Sequence, residues 1–253
     1  MSITTSQGRI YDIDGKQLPS VTTILGILQK PALVPWAAKM TAEYIQGIIS
    51  QNDDLNALDW DVILKDAKGA HRAKSKDAMA HGTRVHEAVA YWIDQQGTVP
   101  RAEVATYLET HFTGTDEEIE AAMAGFDSFL VWADSVDLEI IDSEKVVSDN
   151  EYYAGRYDLL AMIHGVKVLI DIKTSTGIWD EYWLQLAGYA SALEDLPDAV
   201  GVLRIDKVTG GIEYVQRLQY HHEIAAFQSL AIAYNHIQAL KPAPKPRKGK
   251  ASC

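Results

Sequence analysis

The sequence predicts an α+β protein, with a central mixed β-sheet flanked by helices and a helical lobe at its N-terminus. Two observations lead there. Apolar residues recur at helical spacing up to about residue 136, and beyond it short β-like runs alternate with helical ones. Turn pairs such as Asp14-Gly15 and His164-Gly165 punctuate the β-like runs. The chain has 253 residues, enough for one sizeable core. One domain is expected over 1–240, with a hairpin and helical lobe at 1–76 and the core at 77–240. A basic, disordered tail is expected at 241–253.

The elements follow in order. Ile10 to Leu18 reads as a hairpin around Asp14-Gly15, and Ser20 is placed to cap a helix running through Leu28, stopped before Pro31. Pro35 suits a first helical position and opens a helix to about Ile49. Two further helices are expected at Leu55–Ala67 and about Asp77–Gln95; the second carries the stripe Val85, Ala88, Val89, Trp92, Ile93. A short helix at Glu103–His111 precedes a long one whose start is marked by Thr115 and Glu118, a T-x-x-E capping box. The β-like runs are Leu138–Val147, Gly155–Ile163, Val166–Thr174, Ala199–Val208 and Ile212–Leu218. Helices are expected at Asp180–Glu194 and His222–Leu240.

Composition narrows the function classes. Hydrophobic content of 47% is ordinary for a soluble globular protein, and no apolar run reaches the roughly 20 residues that span a bilayer. The first residues lack the basic-then-apolar pattern of a secretory signal, so a cytoplasmic setting and no membrane partner are expected. The one cysteine, Cys253, excludes an internal disulfide, a zinc–cysteine cluster and an iron–sulfur cluster. The net charge of −12 argues against a broad nucleic-acid surface. Its distribution is uneven: residues 65–84 carry +4 and the tail from Lys241 carries +5, so the remainder carries −21.

Register gives the strongest local inference. A two-residue turn at His164-Gly165 pairs Ile163 with Val166 and carries Asp158 opposite Asp171. Such partners have Cβ atoms roughly 4.5–5.5 Å apart and share a face, and Lys173, two residues on, shares it too. Asp171 is flanked by Leu169, Ile170 and Ile172, the composition of a central strand, so burial is expected. Two buried carboxylates that close repel. Lys173 relieves part of this, and a hard divalent cation on oxygen ligands, Mg²⁺ or Mn²⁺, relieves more.

These residues resemble the PD-(D/E)XK nuclease superfamily. Gly155-Arg156-Tyr157-Asp158 is similar to its G-x-x-D strand, and Asp171-Ile172-Lys173-Thr174-Ser175 to its D-x-K-T-S signature. Gln185 and Tyr189 match the Q-x-x-x-Y motif of the RecB-like branch, and Gly82 to His86 its G-x-x-x-H motif. Pro19-Ser20-Val21-Thr22-Thr23-Ile24-Leu25 is similar to the opening of the mitochondrial genome maintenance exonucleases and related phage exonucleases. The resemblance implies a restriction-endonuclease-like core and a metal-dependent DNA exonuclease. Its substrate would be single-stranded DNA or DNA ends, in recombination, repair or phage DNA processing, alongside a recombination or single-strand-binding protein. The alternatives are a 5′-to-3′ exonuclease on duplex DNA working with an annealing protein, and a non-catalytic DNA-binding scaffold. Relatives that hold an iron–sulfur cluster are not models for a chain with one cysteine.

The resemblance also assigns roles. Asp158, Asp171, the Ile172 carbonyl and His86 bind metal; Glu144 either joins them through water or is a surface residue. Lys173 orients the attacking water, or acts as base if its pKa is depressed. Gln185 and Tyr189 share a helix face toward the reacting nucleotide, with Tyr182 in line. Arg84, Lys74 and Lys76 hold DNA phosphates, and Thr174 and Ser175 hydrogen-bond them. Trp36, Tyr44 and Trp179 are either stacking platforms or, the better expectation, packed residues. His71 and His81 have no motif support and are read as structural.

Overall fold

The computed structural model describes residues 2–4, 9–207 and 209–241. The expected tail therefore lies, apart from Lys241, outside the described residues. Strands β1 (Ser2–Thr4), β2 (Ile10–Ile13) and β3 (Lys16–Pro19) form a small antiparallel sheet. Ile13 pairs with Lys16 across Asp14 and Gly15, both at positive φ, the two-residue turn that the Asp-Gly pair favours. Ser20 caps α1 (Val21–Leu25) by accepting from the Thr23 N–H at 3.0 Å. This helix ends at Leu25, three residues short of the expectation, with Gly26 as its C-cap.

Helix α2 (Leu33–Ser50) packs along α3 (Trp60–Asp94) and buries none of its residues completely. The two helices expected at 55–67 and 77–95 are one: a short 3₁₀ turn at Leu55–Ala57 precedes the 35-residue α3, which runs through positions 76 and 77 without a break. Residues 67–82 have no apolar stripe, which reads as a gap. Alanine and lysine favour a helix there by propensity, and packing of α2 along it supports the rest. Helices α4 (Arg101–His111) and α5 (Asp116–Ser135) follow, and the Thr115/Glu118 capping box is present in both directions.

The second part builds the sheet. Strands β4 (Glu139–Ser143), β7 (Leu159–Ile163), β8 (Val166–Lys173), β9 (Ala199–Ile205) and β10 (Ile212–Arg217) lie in the order β10-β9-β8-β7-β4, with β8 and β9 parallel and the other pairs antiparallel. Strands β5 (Val146–Ser148) and β6 (Ala154–Arg156) form a separate ladder, tied to the N-terminal sheet by a bridge between Ser20 and Ala154. The runs expected as single strands at 138–147 and 155–163 are thus each broken in two.

Alternation along β8 divides the protein. Val168, Ile170 and Ile172 face a core with α3, α4 and α5, while Leu169 faces a second core with α1, α6 (Asp180–Ala190) and α7 (His221–Ala239). Each such buried side chain contributes about 1.5–3 kcal/mol. The sheet is therefore covered on both faces, the mixed α+β architecture the sequence predicts. Asp171, on the Leu169 side, is carried into this interior at 1% exposure. Among the described residues, no helix is long and apolar enough to cross a membrane.

Candidate active site

The His164-Gly165 turn sets the expected register, and the β7–β8 ladder runs from Ile163–Val166 to Leu159–Ile170. It stops one pair short of Asp158 and Asp171. Asp158 has left the strand, and its Oδ2 accepts instead from the Ile172 N–H at 2.8 Å. The two carboxylates still converge, but by a side chain gripping the end of the neighbouring strand rather than by a direct cross-strand pair.

Asp171 is held from two sides. Its Oδ1 accepts from Gln185 Nε2 at 3.0 Å, and Lys173 Nζ lies 2.6 Å from Oδ2. Gln185 also reaches the Tyr189 hydroxyl at 3.0 Å, so both Q-x-x-x-Y residues stand behind the acid. Burial, and then the Asp158 charge, push the Asp171 carboxyl up to about 6 against the pull of Lys173. Lys173 is depressed by burial but raised on balance by Asp171 and Asp158, which favours its ammonium form. Its Nζ also sits 4.9 Å above the Tyr182 ring, a cation–π contact.

His86 comes from α3, with Nδ1 3.5 Å from Asp158 Oδ1. Burial lowers its pKa, and the Asp158 charge and hydrogen bond more than offset that, leaving it raised. Asp158 is raised by burial and lowered on balance by His86, Lys173 and the Ile172 N–H. Glu144 lies between β4 and β5, not on a strand. A bulge at Ile141 shifts the register of β4, and Glu144 then takes φ +50°, a left-handed conformation that is strained for glutamate. Its N–H donates to the Asp158 carbonyl at 3.1 Å and its Oε2 meets Arg156 Nε at 2.8 Å. Burial and the Asp158 charge push its carboxyl up to about 7.

One atom each from His86, Glu144 and Asp158 lie within 4.8 Å of one another. An imidazole and carboxylates at that separation fit a divalent cation, which would offset the burial and the Asp158 charge that raise Glu144 and Asp171. The same cleft, of about 480 Å³, is lined by Thr174, Ser175, Gln185 and Tyr189. The motif glycines have steric reasons. A Cβ on Gly155 would stand 2.4 Å from the Tyr189 ring, and one on Gly82 would stand 3.0 Å from Thr174 Oγ1.

The cationic residues differ from expectation. Arg84 is 5% exposed and turned away from the cleft, with Nη2 donating to the Thr113 carbonyl at 2.7 Å and paired with Glu118 at 3.2 Å. It shares a helical line with buried Ala88, four residues on, a signal that outweighs its place in a basic run. Lys74 and Lys76 lie farther along α3 and do not line the cleft. Arg9 and Arg156 do. Arg156 could have been found as the residue two before Asp158, whereas Arg9 has no local signal. Trp179, expected to be packed, is 52% exposed; Trp36 and Tyr44 are partly buried. His71 meets Trp36 edge-on, as a structural residue would.

No protein-family model matches the chain, and no curated protein matches it. Solved structures give distant similarities. The protein designated SSO0001 is 16% identical over 64% of this chain and 76% of its own, with a TM-score of 0.30. A protein from Eubacterium rectale, provisionally described as an exonuclease, is 13% identical over 67% of this chain and 76% of its own, with a TM-score of 0.39.

Proposed function

We propose that this chain is a metal-dependent deoxyribonuclease of the PD-(D/E)XK kind, an exonuclease acting on single-stranded DNA or DNA ends. The observation that carries the reading is the convergence of His86, Glu144 and Asp158 in one cleft, with Asp171 buried beneath it and Lys173 against Asp171. Asp158, Asp171, His86, Glu144 and the Ile172 carbonyl are the residues to hold Mg²⁺ or Mn²⁺. When bound, the cation makes water more acidic and withdraws charge from the phosphate.

The remaining steps belong to the chain. Lys173 holds its proton, orients the attacking water by hydrogen bonding and offsets negative charge as it builds on the phosphate oxygens. Gln185 fixes the rotamer of Asp171, and Tyr189 fixes Gln185. Thr174 offers its hydroxyl to the phosphate at the cleft wall, whereas the Ser175 hydroxyl donates to the Gly177 carbonyl at 2.7 Å. The P–O bond to the leaving sugar oxygen breaks as the new P–O bond to water forms; the water's proton passes to solvent in the open cleft, and the sugar oxygen takes a proton from solvent in turn. Lys74 and Lys76 supply a salt-sensitive attraction along α3 toward the site.

Digestion of end-labelled single strands, blunt duplexes, tailed duplexes and covalently closed circles, in Mg²⁺ and in Mn²⁺, tests the reading. The expected result is nucleotide release from linear single strands or tails, with closed circles intact. Cutting of closed circles overturns the exonuclease assignment. Release that survives Asp171→Ala overturns the site, and no hydrolysis of any DNA overturns the nuclease reading itself.

A further inference from the structure

The cleft has a charge problem that its floor does not solve. Glu87, Glu144 and Asp158 line it and Asp171 lies beneath, four carboxylates that must accept a phosphodiester anion. Lys173 and one divalent cation still leave that set one negative charge in excess, with His86 neutral. Arg9 and Arg156, the two other cationic residues of the cleft lining, reverse the sign. Guanidinium is also the group suited to phosphate, since its planar fork donates two parallel hydrogen bonds.

We infer that Arg9 and Arg156 form a two-arginine clamp that holds a phosphodiester of the DNA strand over the carboxylate floor. This rests on the nuclease reading above and adds to it the residues that bind the strand. Arg9 makes no ion pair among the described residues, although it precedes a hairpin whose backbone fixes it. Its carbonyl accepts from the Ser20 N–H at 2.9 Å and the Thr23 hydroxyl at 3.4 Å. Ser20 and Thr23 belong to the Pro19–Leu25 motif, for which the metal site offers no role. Holding Arg9 at the cleft supplies one. Arg156 meets Glu144 through Nε at 2.8 Å, which turns one edge of the guanidinium to the carboxylate and leaves its terminal amino groups for an anion.

The test is equilibrium binding of a fluorescein-labelled single-stranded oligonucleotide to the full chain in Ca²⁺ at several salt concentrations, read by anisotropy. Arg9→Ala and Arg156→Gln are each expected to weaken binding about tenfold, as for loss of one charged hydrogen-bonded contact. Each should also lower the slope of log affinity against log salt by about 0.7. Arg101→Ala removes an arginine of α4 that is paired with Asp127 and Glu120 of α5, and should bind as the parent does. Mn²⁺ binding, read by electron paramagnetic resonance without DNA, should be at least as tight in Arg156→Gln, because one cation no longer competes for Glu144. Parent-like affinity and salt slope in both arginine variants overturn the clamp and leave the nuclease reading standing. Joint loss of Mn²⁺ and DNA in Arg156→Gln overturns the Arg156 half. A parent chain that neither binds nor cleaves the oligonucleotide overturns both readings.

Discussion

The floor of the cleft and its rim are built by different means. The floor is Asp171, Lys173, Gln185 and Tyr189, carried on a central strand and on the helix packed over it, and each is fixed by a named contact to another. The rim is Glu144, Arg156 and Arg9, carried on a turn, a short edge ladder and the approach to a hairpin. Glu144 there takes a strained backbone conformation, and Arg9 has no ion-pair partner among the described residues. The difference teaches that acid geometry comes with the fold, because burying β8 places Asp171. Substrate contact must be added by segments that the core does not dictate.

Substitutions in the floor test that division most severely. Lys173→Ala should lower the rate of DNA hydrolysis on the order of 10²–10³-fold at saturating Mn²⁺. Asp171→Asn should remove it altogether, with DNA affinity in Ca²⁺ changing far less. If Lys173→Ala is nearly as active as the parent, the floor is not the reacting part. Gly155→Ala probes the same region by packing. Its Cβ must displace the Tyr189 ring, which is backed by Gln185, so thermal unfolding should report a loss of about 1–3 kcal/mol. The loss should shrink when Tyr189→Leu is added, a non-additivity expected of residues in contact.

The same division decides what could be read from the sequence. The turn at His164-Gly165 fixes register by local chemistry, and apolar neighbours of Asp171 fix its burial, so the floor was legible. That the ladder ends at Leu159 was not, because Asp158 gains more from the Ile172 N–H than a regular strand would give it, a tertiary effect. Glu144 falls inside a β-like run, because no residue pattern marks a bulge followed by a left-handed glutamate. Arg84 lies in a basic run that suggests phosphate contact, while its spacing from Ala88 points inward. The continuity of α3 is not visible in the sequence, because periodicity measures burial and the thinly covered middle of this helix shows little of it.

Titration sharpens the comparison, since both regions contain carboxyls raised by burial and by Asp158. A carboxyl whose folded pKa lies above its unfolded value stabilises the fold fully below the unfolded value and loses that contribution as pH rises through the folded one. Asp171 thus loses its contribution between 3.8 and about 6, and Glu144 between 4.5 and about 7. His86, also raised, loses its contribution as pH climbs above 6.5. Asp158 is lowered, so its contribution is present above 3.8 and constant over this range. The metal-free protein should therefore melt at progressively lower temperature from pH 5 to pH 8. Saturating Mn²⁺ should abolish the decline, because cation binding favours the deprotonated ligands over the same window. A metal-free melting temperature that rises over this range contradicts the assigned environment of both acids.

The smallest expected effect isolates the rim. Glu144→Gly removes a carboxylate that burial and Asp158 disfavour, and it places at φ +50° the residue that tolerates that conformation. Against this stand the lost pair with Arg156, itself partly exposed and so of small worth, and the backbone freedom glycine restores to the unfolded chain. The balance should leave the metal-free protein up to about 1 kcal/mol more stable. Mn²⁺ binding should weaken at the same time, through loss of one of three converging ligands. A core position behaves in the opposite way, because there a truncation costs stability before it costs anything else. If Glu144→Gly is destabilised and binds Mn²⁺ as the parent does, Glu144 belongs with the scaffold, and its strained backbone serves the turn rather than the metal.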